Sequence, residues 1–82
     1  MSNKYTSEAL DALYRSILQL ENVAECYDFF EDLCTVTEIR AMAQRFQVAH
    51  MLKEGHTFQQ IAAQTGASTA TISRVNTCLK YG

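Results

Sequence analysis

The chain has 82 residues, a formal net charge of −2, an apolar fraction of 48%, and neither proline nor tryptophan. A chain of this length buries only about 60 to 65% of the surface that its unfolded form exposes, so its core alone gives marginal stability. Domains this small usually gain further stability from disulfides, a bound metal or a second subunit.

Disulfides and metals are not the predicted source of that stability. Cys26, Cys34 and Cys78 are odd in number, lack CxxC spacing and follow no secretory signal peptide, so we expect reduced thiols in a cytoplasmic protein. His50 and His56 have no cysteines or carboxylates arranged to complete a ligand set. No apolar run approaches the roughly 18 residues of a membrane span. Dimerisation remains as the predicted stabiliser.

Charge is distributed unevenly along the chain. Residues 1–36 contain two basic and seven acidic side chains, a formal charge of −5, whereas residues 37–82 contain five basic and two acidic side chains, a formal charge of +3. This asymmetry predicts a scaffold half and a half that meets an anionic partner. The alternative is two solvated faces that merely differ in their charged residues.

The first two helices are predicted from apolar spacing and capping residues. One starts after Thr6 or Ser7 and runs to about Leu20, with apolar residues three and four apart. Asn22, with a glutamate three residues on, opens a second helix to about Cys34. We expect each helix to bury its apolar stripe. The stripes are Leu10, Leu13, Ile17 and Leu20, then Val23, Cys26, Tyr27, Phe30 and Leu33.

The third helix opens with the capping pair Thr35 and Glu38 and ends at Gly55. Its predicted buried stripe is Ile39, Met42, Phe46, Ala49 and Leu52. Other apolar side chains lie off the stripes, namely Tyr14, Phe29, Val48 and Met51. One monomer has too few inward positions for them, which predicts a subunit interface in which the first two helices wrap around a partner. Scattered surface apolarity is the alternative.

The segment after Gly55 has the pattern of a DNA-reading helix-turn-helix. Thr57 and Gln60 cap a first short helix, Gly66 gives the backbone freedom for a tight turn, and Ser68 caps a second helix. The apolar inner surface is predicted at Ile61, Thr65, Ala67, Ile72 and Val75.

Hydroxyls, amides and a guanidinium remain on the outside of this pair, and such groups bond phosphates and base edges. The free N–H groups at the start of the second helix also favour anions. The predicted DNA-contacting residues are Gln59, Gln60, Ser68, Thr69, Ala70, Thr71, Ser73 and Arg74. The alternative is a helical hairpin that only packs against its own subunit.

The segments "TVTEIRAMAQRFQVAHMLKEG" and "IAAQTGASTATISRVNTCLK" resemble the Trp repressor superfamily, in particular its YerC/YecD branch. The resemblance is strongest from about Leu33 to Tyr81. It implies an all-α, Trp-repressor-like domain of six helices, an intertwined homodimer, and two reading helices about 34 Å apart. The single domain, residues 1–82, would then comprise dimerisation helices (1–36), a central helix (37–55) and the helix-turn-helix (57–80).

The resemblance also implies an effector site. The family's corepressor positions correspond to Thr35, Arg45 and Arg74, and guanidinium groups suit a carboxylate. Val75 stands where the family has a glycine that leaves room for the indole ring. Tryptophan is therefore not the expected ligand, and a smaller amino-acid-like carboxylate, a reshaped pocket or no effector remain. The two arginines could instead form salt bridges with Glu38 or other carboxylates.

The predicted function is a sequence-specific, DNA-binding transcriptional regulator, a repressor that acts as a homodimer on double-stranded DNA without a cofactor. The alternative is a protein-interaction module that keeps the fold but binds DNA weakly or not at all, because few basic residues serve the reading half. No catalytic constellation or phosphate-binding glycine loop is visible, so no enzymatic activity is expected.

Overall fold

The structure, a computed structural model, describes residues 6–82. These residues form five α-helices and no β-strand, which confirms the predicted all-α class. Five is one fewer than the six helices that the resemblance implies, so that detail is not confirmed. The helices are α1 (Glu8–Leu18), α2 (Val23–Leu33), α3 (Val36–Lys53), α4 (Phe58–Thr65) and α5 (Thr69–Tyr81).

Each helix begins directly after a side chain that accepts a hydrogen bond from the backbone N–H three residues further on. In α3 and α4 the third residue reciprocates, because Glu38 and Gln60 accept from the backbone N–H of the cap at 2.8 and 2.9 Å. Such capping satisfies donors that the first turn leaves free. The capping residues are Ser7, Asn22, Thr35, Thr57 and Ser68.

The chain divides into two compact units, and the first ends at Leu33. Neither α1 nor α2 contains a fully buried residue. The predicted stripe of α1 is half-buried. In α2 the exposed fraction is 71% for Val23 and 65% for Tyr27. The expected burial of these stripes is therefore not reached within one chain.

The second unit, Cys34–Gly82, contains a core to which α3, α4 and α5 all contribute. Fully burying an aliphatic side chain contributes about 1.5 to 3 kcal/mol, so a few residues hold this unit together. The predicted inner surface of α4 and α5 is confirmed except at Thr65, which is half-buried and does not belong to this core. The buried residues are Val48, Met51, Ile61, Ala67 and Ile72, flanked by the partly buried Leu52, Ala62 and Val75.

The predicted buried face of α3 is wrong in part. Val48 and Met51, placed off the stripe by the sequence, are 0% and 5% exposed, whereas Phe46, placed on it, is 77% exposed. Apolar residues occur on two sides of this helix, and only the side with Val48 and Met51 packs against α4 and α5. We call the other side, comprising Ile39, Met42, Phe46 and Ala49, the open face of α3.

Three further features of the described residues concern membrane spans, metal ligands and cysteines. No helix between residues 6 and 82 is both long and apolar enough to cross a bilayer. Across the same residues, no three His, Cys, Asp or Glu side chains are grouped so that they could hold a metal ion. The cysteines are free thiols, of which Cys78 is exposed and the other two are half-buried.

Candidate nucleic-acid interface

Helix α5 has one apolar side and one polar side. Ile72 is fully buried in the core, and Val75, three residues on, packs against that core. Thr69, Ser73 and Arg74 are exposed on the first half of the helix. Anchoring by Ile72 thus leaves hydroxyls and a guanidinium facing solvent close to the helix start.

Some of the predicted DNA-contacting side chains are already used to begin helices. The Ser68 hydroxyl accepts from Thr71 N–H and donates to Thr71 Oγ1, both at 3.1 Å. Gln60 Oε1 accepts from Thr57 N–H at 2.9 Å, which leaves its amide NH₂ as the outward group. Thr71 is half-buried, whereas Gln59, Ala70 and the other predicted contact residues are exposed. Their roles in DNA contact stay predictions.

The turn between α4 and α5 is formed by residues 66–68. Gly66 has φ of +74°, in the left-handed region that favours glycine, and its N–H donates to Ala62 O at 3.0 Å. Thr65 Oγ1 donates to Ile61 O at 2.7 Å and accepts from Ala67 N–H at 3.1 Å. The backbone of the turn is therefore fixed on both sides of the glycine.

One residue that sequence reasoning missed also reaches this turn. The side-chain amide of Gln44, on α3, donates from Nε2 to the carbonyl oxygen of Thr65 at 3.2 Å. The sequence feature that could have identified Gln44 is its spacing, because it lies four residues before Val48 and seven before Met51 and therefore on the same side of the helix. Apolar periodicity alone could not name its partner, which lies 21 residues away in sequence.

The predicted effector residues are not all adjacent. Thr35 caps α3, and Arg45 lies ten residues further along it, which separates them by about 15 Å along the helix axis. They do not adjoin within one chain. Arg74 lies on α5, which packs against α3, and both arginines are exposed. Val75 is half-buried against the core, as a packing residue would be.

The salt bridges considered for the two arginines are absent from the described part of the chain. Within residues 6–82 the side-chain contacts to a carboxylate from basic residues are those of His50 Nε2 and His56 Nε2 with Glu54, each at 3.5 Å. The carboxylate of Glu38 instead accepts from Thr35 N–H. This part of the chain thus offers Arg45 and Arg74 no carboxylate partner.

A shallow pocket lies where α3 meets the second half of α5. It has a volume of about 190 Å³ and an apolar lining from Phe46, Ala49 and Leu79. Lys53 and His50 contribute cationic or hydrogen-bonding groups beside that lining. The pocket continues the open face of α3 onto α5.

Solved structures define the class of the fold. A TrpR-like protein from Eubacterium eligens matches with a TM-score of 0.93 and 54% identity, covering 99% of this chain and 84% of that one. A candidate Trp repressor from Staphylococcus aureus matches with a TM-score of 0.90 and 56% identity, covering 94% of this chain and 77% of that one. The fold is therefore that of TrpR-like proteins.

Sequence comparison then gives the family. The Trp repressor protein family model matches residues 8–82. YerC of Bacillus subtilis, an uncharacterized protein, is 56% identical over 80 residues, which are 98% of this chain and 77% of YerC. The chain belongs to the Trp repressor family and is a YerC-type member of it, as the sequence predicted.

Proposed function

We propose that this protein is a transcriptional regulator that binds double-stranded DNA as a homodimer through a helix-turn-helix formed by α4, residues 66–68 and α5. The observation that carries the proposal is the two-sided character of α5. Ile72 is fully buried, while Thr69, Ser73 and Arg74 are exposed on the half of the helix that would enter the groove. Membership in the Trp repressor family supports the same function.

Different exposed groups on α4 and α5 would contact phosphates and base edges. Arg74 and the amide of Gln59 suit phosphate oxygens and base edges, and the hydroxyls of Thr69 and Ser73 can bond to either. Ala70 offers a methyl group, which suits the methyl of thymine. Ser68, Gln60 and Thr71 would contribute chiefly by fixing the starts of the two helices. Their outward atoms would be available for secondary contacts.

The homodimer is supported by apolar surface that one chain leaves uncovered. Phe46 on the open face of α3 and Val23 and Tyr27 on α2 are all more than half exposed. Large exposed apolar side chains occur on α1, α2 and α3. Such side chains are typical of a subunit interface. A symmetric dimer would place two copies of α5 in successive major grooves, about 34 Å apart.

Control by a small carboxylate is the finer part of the proposal. Arg45 and Arg74 are exposed and have no carboxylate partner within residues 6–82, so their guanidinium groups could hold an amino-acid-like ligand. Thr35 is about 15 Å from Arg45 along α3 and would join such a site from the second subunit. Val75 fills space against the core, which disfavours an indole ring.

A protein-interaction module with weak DNA binding is the second candidate. It is favoured by charge, because residues 37–82 supply only five basic side chains per chain. Each phosphate contact adds a slope of about −0.9 to the dependence of log affinity on log salt concentration. A dimer with few such contacts would therefore bind DNA modestly, with a shallow dependence of affinity on salt concentration.

Selection of bound sequences from a random double-stranded pool tests the proposal. We expect enrichment of a two-fold symmetric site, with half-sites one helical turn apart. Fluorescence anisotropy with the enriched site at two salt concentrations then gives the slope and the number of phosphate contacts. Failure to enrich any sequence, together with no binding at low salt, would favour the interaction module.

A further inference from the structure

Gln44 is a polar residue on the apolar side of α3. Val48 and Met51, four and seven residues on, fill the core, and Ala41, three residues before, is half-buried on the same side. Gln44 is itself half-buried. An apolar side chain would suit this position, because burying an amide is unfavourable unless it is hydrogen-bonded. The amide at an otherwise apolar position indicates that Gln44 serves to make a specific hydrogen bond rather than to fill the core.

The hydrogen bond of Gln44 ends at the point where α4 gives way to the turn. Its Nε2 donates to the Thr65 carbonyl, one of the groups that the end of a helix leaves without an intrahelical partner. The hydroxyl of the same threonine accepts from Ala67 N–H, on the other side of Gly66. Thr65 thus joins α3 to the backbone that leads into α5.

This turn determines the direction of α5. Only residues 66–68 separate the two helices, and Ser68 already caps α5. A small rotation at Thr65 would therefore move the exposed residues of α5 relative to the dimer axis. Contacts to base edges depend on placement to within fractions of an ångström, more than contacts to phosphates do.

We propose that Gln44 is a positioning residue that fixes α5 through the carbonyl of Thr65 and so contributes to discrimination between DNA sites. The inference rests on the proposed DNA-binding function and adds to it a residue that touches no DNA. We expect substitution of Gln44 to affect the turn more than overall stability, because the buried side chains of Val48, Met51 and Ile72 stay in place.

The test compares Gln44→Met with Gln47→Met. Methionine is close to glutamine in size and removes the donor, and a half-buried apolar position accepts it. Gln47 is an exposed glutamine on the same helix, so its substitution controls for the change in composition. Gln44→Glu is a second variant of nearly the same shape, whose carboxylate cannot donate to Thr65.

Amide hydrogen exchange gives the readout that needs no DNA. We expect Gln44→Met to raise the exchange rates of the Gly66 and Ala67 amides about three- to tenfold, the range for loss of one hydrogen bond. The Ile61 amide, which donates to Thr57 O at the start of α4, should be unchanged. A uniform rise over the whole unit, or no rise at the turn, would overturn the positioning role.

DNA discrimination gives the second readout. The ratio of affinities for a selected site and a scrambled site should fall about three- to tenfold in Gln44→Met, while affinity for the scrambled site and both affinities of Gln47→Met stay unchanged. If amide exchange at the turn becomes faster but the affinity ratio is unchanged, the turn does not contribute to discrimination between DNA sites. If the unmodified protein binds no DNA, the proposed function is wrong, and so is the role of Gln44 in discrimination between DNA sites. The exchange experiment then still decides whether Gln44 fixes the turn.

Discussion

Glu38 illustrates how a single carboxylate fixes the start of a helix. Its side chain accepts from Thr35 N–H at 2.8 Å, and its backbone N–H donates to Thr35 Oγ1 at 3.2 Å. The hydrogen bond from the Thr35 backbone, with a smaller effect of the Thr35 side chain, lowers the pKa of Glu38 below its ordinary value of 4.5. A lowered pKa in the folded state contributes stability that is present above pH 4.5 and lost as the pH falls through the folded pKa.

We therefore expect Glu38→Gln to reduce the loss of stability in acid. The free energy of unfolding of the unmodified protein should approach that of the variant as the pH falls below about 4.5, because the carboxylate becomes protonated. Urea denaturation followed by circular dichroism across this range measures the difference. Glu31→Gln, which changes an exposed carboxylate that caps no helix, is the control. A difference that stays constant with pH would contradict the assignment.

Ser68 and Thr69 are neighbours with different expected roles. Ser68→Ala removes the cap of α5 and should lower the free energy of unfolding by about 1 kcal/mol. Thr69→Ala removes an exposed hydroxyl and should change stability by less than about 0.5 kcal/mol, yet weaken binding to a selected DNA site. Denaturation and anisotropy on both variants separate these effects. Unchanged site preference in Thr69→Ala would count against α5 as the reading helix.

The turn before α5 depends on the backbone of one glycine. At Gly66, φ is +74° and an added Cβ would meet no atom within 4 Å, so a side chain there is disfavoured by conformation alone. We expect Gly66→Ala to destabilise the fold by about 1 to 2 kcal/mol, and Gly66→Asn by less, because asparagine tolerates this region. Denaturant unfolding of both variants measures the difference. Equal costs would indicate that the backbone conformation is not the cause.

Helix boundaries were predictable from sequence because their signals are local. Thr35 and Thr57 each cap a helix together with a residue three positions further on, so four consecutive residues contain the whole motif. The buried side of α3 was not predictable, since Phe46 and Val48 are both apolar and only the positions of α4 and α5 determine which of them is buried. Gln44 was missed for the same reason, because its partner is distant in sequence.

Uncovered apolar surface is the main property of the molecule as a whole. Phe46 is 77% exposed, and the pocket beside it continues onto α5. If a second subunit covers this surface, Phe46→Glu should shift the protein towards a monomer, because burying an unpaired charge in an interface is costly. Its helical content should persist, since Phe46 lies outside the core of one chain.

Sedimentation equilibrium over a range of protein concentrations measures this shift. Gln47→Glu adds the same charge at the next residue of α3, which is also exposed, and is the matched control. An unchanged mass for Phe46→Glu would place the subunit contact elsewhere. A loss of helical circular dichroism would indicate instead that Phe46 supports the fold of the single chain.

The capping residues have a consequence for synthesis of the chain. The five helices of residues 6–82 each start with a hydrogen bond that spans three residues, and none of these bonds needs a distant segment. Single turns form within about a microsecond, far faster than translation adds residues. The first turn of each helix can therefore form transiently on the nascent polypeptide, at its native first residue, before the ribosome has completed the next helix, and later packing stabilises it.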